Sequence, residues 1–334
     1  MKKSNLEGKF EKKNIRNVKL AYVNTQKAYD QLIKEIAQEL LRYDISASEA
    51  FYLKDAKQLE KKLSKLIAVV NTKSEQILKE AMVKNWELAN QKNDILASQH
   101  LKNVHLTEEV RKDYFQVNAN AMNSFINRSV DGMNLSKRVW QNGKAVMDQL
   151  NTYLGHGIAV GKPARAIAND VRDLVKEPKK LFLKNGVVLK PGTGVYKSAY
   201  ANALRLAATE TNMAYRMSEV TRRAQLPFIT GIEVKLSGSH PRPDICDQMT
   251  GKYPPDFVFL GWHPRCFCYT LSIMLPPEEF VRQLENDSLS TIKKINTIPN
   301  QASKYVNLMR SKYERSGSTP YFLKDNVKYF NPGK

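Results

Sequence analysis

"ANALRLAATETNMAYRMSEVTRRAQLPFITGIEVKLS", residues 201–237, changes its period partway along. Up to Gln225 it is rich in alanine and other good helix formers, so it reads as one long helix. Gln225 to Pro227 end that helix, because proline has no N–H to donate and pushes the preceding residue away from helical geometry. Then "GIEVKLS" (231–237) places Ile232, Val234 and Leu236 on one side at period two, as a half-buried strand does. A long helix feeding a short strand points to an α+β fold, predominantly α-helical, with a short sheet.

Downstream, "DFVFLGW" (256–262) and "CFCYTLSIML" (266–275) are further strand candidates, and after Pro276 and Pro277 the acids Glu278 and Glu279 open another helix. The end, "SGSTPYFLKDNVKYFNPGK" (316–334), has loop composition with several aromatics and is expected to dock on a partner. Upstream, apolar residues recur at three and four: Leu32, Ile33, Ile36, Ala37, Leu40 and Leu41; Leu59, Leu63, Leu66, Ile67 and Val70; Val110, Tyr114, Val117, Ala121 and Phe125. These are amphipathic helix stripes, with start signals at Ser46 and Glu49 and at Thr107 before Glu108 and Glu109. The first residues, "MKKSNLEGKFEKKNIRNVK" (1–19), are dense in lysine and read as a mobile basic arm.

All 14 prolines lie at or after Pro163. Gly155, Gly157 and Gly161 before Pro163 suggest a turn into a helix that carries Ile167, Val171 and Leu174 inward. "VLKPGTGVYKSAY" (188–200) is a turn-rich connector. The expected organisation is a helical region over 1–195, an α+β domain over 196–276 and a helix with a tail over 277–334.

The 334 residues are 42% hydrophobic, enough for a real core, and contain no run of about 18 apolar residues that would span a membrane. No secretory leader is evident, and the cysteines, an odd number (3) confined to 246–268, do not make a disulfide framework, so a reducing cytoplasm is expected. A formal charge of +20 attracts polyanions through counterion release, and no base-reading motif accompanies it. A nucleic acid bound without base specificity is the expected partner.

Two loops, "SGSHPRPDICDQ" (237–248) and "GWHPRCFC" (261–268), carry the chain's chemistry. Each supplies candidate ligands to a tetrahedral ion: Cys246 from the first, His263, Cys266 and Cys268 from the second, with His240 as alternate. Three readings remain open: structural zinc, buried thiols beside hydrogen-bonded histidines, and a disulfide from Cys246 to Cys266 or Cys268. A cysteine-protease signature and the H-x-E with P-C-x-x-C of zinc deaminases are absent. A metal nuclease would use His240, Asp244 and Asp247 beside phosphate-binding Arg242 and Arg265; the competing reading is an ion-pair network holding the loops together.

The succession "RLAATETNMAYR" (205–216), "GIEVKLS", "HPRPDICDQMTGKYP" (240–254) and "GWHPRCFCYTLSIM" (261–274) resembles the phage Mu F-like family of minor head, or head morphogenesis, proteins. The likeness is strongest over 199–275 and extends more weakly to "SVDGMNLSKRVW" (129–140) and "LGHGIAVGKPARAIANDV" (154–171). Thr209, Glu210, Asp244, Cys246, Gly251, Lys252, His263, Pro264, Cys266 and Cys268 fit the family pattern; Ala208 and Phe267 stand where it has basic residues. The resemblance implies a non-enzymatic protein inside the head, associated with the portal and with major capsid or scaffold proteins. It would be made in the host cytoplasm, end in the virion, and contact packaged double-stranded DNA; Arg242 and Arg265, the phosphate-binding candidates of the two loops, are the expected DNA-binding residues. On this reading the cysteine cluster is a clasp tying two loops and a small sheet to the helix.

Overall fold

The computed structural model describes residues 3–42, 57–102, 104–159, 165–169, 171, 198–238, 243–317 and 319–330. Its elements run α1 (Lys3–Arg42), α2 (Lys57–His100), α3 (Glu108–Tyr114), α4 (Ala119–Ile126), α5 (Leu135–Ala159), α6 (Ala199–Gln225), β1 (Ile229–Lys235), α7 (Ile245–Gln248), β2 (Gly251–Tyr253), β3 (Tyr269–Met274), α8 (Pro277–Glu285), α9 (Asn300–Ser316), α10 (Tyr321–Lys324) and α11 (Val327–Phe330). The fold is a predominantly helical α+β, with one antiparallel sheet in the order β2-β1-β3. No helix among the described residues is long and apolar enough to cross a membrane.

The chain divides into two compact units: Met1–Val18, Met82–Phe125 and Thr209–Lys334 in the first, Lys19–Ala81 and Ile126–Ala208 in the second. Helices α1, α2 and α6 each contribute residues to both. The 40 residues of α1 extend for about 60 Å, more than one small core covers, so successive segments of sequence and compact units do not coincide. The expected limit at 195 lies outside the described residues.

In the second unit the predicted stripes form the core. Leu32, Ile33, Ile36, Ala37 and Leu40 of α1 and Leu59, Leu63, Ile67 and Val70 of α2 are buried with Val146, Leu150 and Leu154 of α5. Leu41, at the edge of its stripe, is 52% exposed. Gly155 and Gly157 belong to α5 rather than to a turn, while Ile167 and Val171 are buried as expected. The Ser46–Glu49 capping box, Gly161, Pro163 and Leu174 lie outside the described residues.

The first unit departs from expectation at five places. The lysine-dense start is the beginning of α1, and Leu6, Phe10, Asn14 and Val18, four residues apart, are buried along one stripe. That spacing was too narrow and too diluted by lysine to stand out. The stripe over 110–125 breaks into α3 and α4 at Asn118, which takes a left-handed conformation, φ 54°. Thr107 caps α3 as predicted, accepting a hydrogen bond from the Val110 N–H.

"DFVFLGW" is not a strand, although Phe257, Phe259, Leu260 and Trp262 are buried. Side chains satisfy its backbone instead: Asn326 bonds both N–H and C=O of Val258, Arg223 donates to the Phe257 carbonyl, and Arg216 to that of Leu260. The aromatic tail forms α10 and α11, and Phe322 and Phe330 bury against Trp262 and Phe257 of the same unit. The tail therefore completes the core over the sheet. "CFCYTLSIML" becomes β3 only from Tyr269, paired with β1 in register Lys235–Tyr269 to Gly231–Ile273. Both cysteines lie in the turn before it.

Candidate metal centre

Two short turns bring the site together. In the first, Asp244 caps α7, accepting from the Cys246 N–H at 2.6 Å, while Asp247 accepts from the Asp244 N–H at 2.7 Å. This capping box fixes the direction in which Cys246 leaves the backbone. In the second, the Cys266 N–H donates to the His263 carbonyl at 3.1 Å, and Arg265 between them is left-handed, φ 61°. Gly261 precedes that turn at φ 115°; a Cβ there would stand 2.4 Å from a nitrogen of Arg216, so this position requires glycine.

The thiols of Cys246, Cys266 and Cys268 are free, buried and mutually within 4.8 Å. Asp244, Cys246 and His263 form a second set of the same span, so Cys246 belongs to both. Cys246 Sγ lies 3.7 Å from Cys266 Sγ and 3.2 Å from His263 Nε2. A tetrahedral zinc ion with ordinary bond lengths has S···S edges of about 3.8 Å and S···N edges of about 3.6 Å. Asp244 Oδ2 stands 3.3 Å from the same Nε2. His263 Nδ1 is 2.7 Å from the Pro264 carbonyl, which can only accept, so Nδ1 donates there and Nε2 is turned toward Cys246 and Asp244. The buried cluster can bind a metal ion.

The thiols do not share charge equally. Hydrogen bonding to Cys266 and Cys268, then burial, pushes the Cys246 thiol far up. Burial alone would raise Cys266, but hydrogen bonds from Cys246 and Cys268 and the charge of Arg216 hold it well below the usual thiol range. For Cys268 the hydrogen bond from Cys246 lowers the value, but Cys266 and burial prevail and push it up to about 12.

The platform is the inward face of α6. Arg216, 4% exposed, donates from Nη2 to the carbonyls of Cys266 and Cys268 at 2.7 and 2.6 Å, and from Nη1 to that of Leu260 at 2.8 Å. Asn212 donates to the Cys266 carbonyl at 2.8 Å and accepts from Asn14 at 3.0 Å, which in turn accepts from Asn85 at 2.8 Å. One turn further along α6, Glu219 pairs with buried Lys92 and accepts from the Thr270 hydroxyl of β3. Sequence reading missed these residues. Their signal was there: Asn212, Arg216, Glu219 and Arg223 recur at four, three and four, a polar stripe on a helix otherwise rich in alanine.

Of the predicted ligands, Cys246, Cys266 and Cys268 form one triad, while His263 joins Cys246 and Asp244 in another, so the expected set of four is brought together as two triads through Cys246; Pro264 supplies the carbonyl that orients His263. Gly251 starts β2 at φ 134°, against Pro299, and Lys252 pairs in register with Glu233. Thr209 and Glu210 lie on α6 just before Asn212, and Glu210 is buried. Arg265 is half-buried in the second turn. His240 and Arg242 lie outside the described residues.

No family model, curated protein or solved structure matches this chain.

Proposed function

We propose that this chain is a non-enzymatic minor head protein of a tailed phage or prophage, and that its cysteine cluster holds a structural zinc ion. One observation carries the reading: Asp244, Cys246, His263, Cys266 and Cys268, the loop residues on which the resemblance to Mu F-like proteins rests, form two overlapping triads that share Cys246, with the second loop fastened to α6 by Asn212 and Arg216. A clasp calls for a closed ligand set with buried sulfurs, whereas a catalytic zinc keeps a position open for water. Cys246, Cys266 and Cys268 are 1%, 2% and 3% exposed, which favours the clasp. The basic charge of +20 supports contact with packaged double-stranded DNA without base reading, and the helical region offers faces for portal, scaffold or major capsid protein. The protein acts in the host cytoplasm during assembly and afterwards inside the head.

Co-expression with the portal, scaffold and major capsid proteins encoded beside it tests this reading. The protein should sediment with procapsids and be lost from them when portal is omitted; recovery only in the unassembled fraction sinks it. The rival is a metal-dependent hydrolase built on the partly exposed Asp244–His263 pair. It predicts duplex cleavage that disappears in folded Asp244→Asn and His263→Gln variants, whereas the clasp predicts no cleavage by the intact protein.

A further inference from the structure

The amino-terminal part of α1 sorts its charges to opposite sides. Glu7 and Glu11 are 3% and 8% exposed, whereas Lys9, Lys12, Lys13 and Arg16 are all exposed. Both carboxylates are engaged inside the first unit: Glu7 accepts from the Ser272 N–H at 3.0 Å, and Glu11 feels the charges of Lys92 and Arg216. No carboxylate of this segment is left to balance the outer face. At about 100° per residue the four cations fall within an arc of about 100°, opposite Asn14 and Val18, and span about 10 Å of helix. Among the described residues no hydrogen bond or ion pair engages any of the four; Lys13 lies 5.2 Å from the centre of the Phe10 ring.

We propose that this face, Lys9, Lys12, Lys13 and Arg16, binds the phosphate backbone of double-stranded DNA and is the protein's principal DNA contact. The proposal rests on the DNA contact in the proposed function but places it on α1 rather than on Arg265. Charge complementarity selects the occupant: four unbalanced cations along one helix face fit a polyanionic rod. An amphipathic helix that lies on a bilayer must offer an apolar side for insertion, and here Leu6, Phe10 and Val18 are already buried in the protein. A protein partner's interface needs an apolar centre, which this patch lacks.

The test compares the full chain with K9Q/K12Q/K13Q/R16Q and with a control, K293Q/K304Q/K312Q/R315Q, that removes four exposed cations elsewhere. Binding to a duplex of random sequence is followed by fluorescence anisotropy between about 50 and 200 mM salt. The wild type should show a steep log–log salt slope; the α1 variant should lose about 3 to 4 from it, and the control less than about 1. Equal losses in both variants would mean that binding follows net charge and would overturn the proposal. An unchanged slope in the α1 variant overturns it too while leaving the DNA contact standing, and absence of binding by the wild type removes both. Tighter binding to anionic phospholipid vesicles than to duplex, lost in the same variant, assigns the face to membrane and overturns it. Unfolding curves should match the wild type. If the quadruple variant melts early, the pairs K9Q/K12Q and K13Q/R16Q are read instead, each expected to lose about half the change.

Discussion

Arg216 Nη2 donates to the carbonyl of Cys266 at 2.7 Å, so a buried guanidinium on the long helix fixes the backbone of the turn that carries two of the candidate ligands. The same nitrogen reaches the Cys268 carbonyl, and Nη1 reaches that of Leu260. Three carbonyls of an irregular segment, which no strand partner serves, are satisfied by one side chain lying 4.9 Å from the centre of the Phe259 ring.

Replacing Arg216 by methionine should therefore cost about 3 kcal/mol or more, because the buried carbonyls of Leu260 and Cys268 lose their donor, that of Cys266 keeps only Asn212, and Glu11 loses a neighbouring positive charge. Arg216→Lys should recover only part, since an ammonium lacks the planar fork. Denaturant unfolding monitored through the tryptophans measures both, and a loss below about 0.5 kcal/mol for the methionine variant would remove Arg216 from this role.

Gly261→Ala tests the same contact from the other side. The added Cβ needs the space of an Arg216 nitrogen 2.4 Å away at a backbone angle of φ 115°, so a destabilisation of about 2 kcal/mol or more is expected. Gly238→Ala, where nothing lies within 4 Å of the added atom, should change stability by less than about 0.5 kcal/mol.

Protein purified under reducing conditions should contain about one zinc per chain, and chelation or Cys246→Ser should lower Tm sharply. Elemental analysis paired with thermal unfolding decides this; metal-free protein indifferent to chelators rules out the clasp.

Zinc uptake should also release protons. Cys246 is held far up and Cys268 up to about 12, so both bring a proton that zinc must displace, while Cys266 is held well below the usual thiol range. Binding therefore expels about two protons per ion, and apparent affinity strengthens as pH rises through the neutral range. Calorimetry in buffers of different ionisation enthalpy counts them; release near zero contradicts this distribution.

Asn14→Ala should destabilise by about 1–3 kcal/mol by leaving the buried amides of Asn85 and Asn212 each short of a partner. Chemical unfolding of the variant against Lys13→Ala, an exposed neighbour expected to be near neutral, isolates the effect.

What the sequence determined by itself was local. Period and propensity placed the helix through Gln225, the strand carrying Ile232 and Val234, the Thr107 cap and the stripes from Leu32 to Val70, because each rests on contacts or torsions within a few residues. The candidate ligands were equally legible, since histidine and cysteine are scarce and declare their chemistry by type. Tertiary structure alone decided the rest. "DFVFLGW" has strand composition but remains irregular because Arg216, Arg223 and Asn326, distant in sequence, take its backbone hydrogen bonds. The lysine-rich start is a buried-faced helix because Leu6 and Phe10 find a core assembled from residues distant in sequence, Leu88 and Tyr215 among them. That Glu7 and Glu11 turn inward, leaving only cations outside, depends on the Ser272 amide and on the charges of Lys92 and Arg216, partners no local pattern could name. Non-local hydrogen bonds and burial outweigh intrinsic propensity wherever a segment has too few contacts of its own to set its conformation.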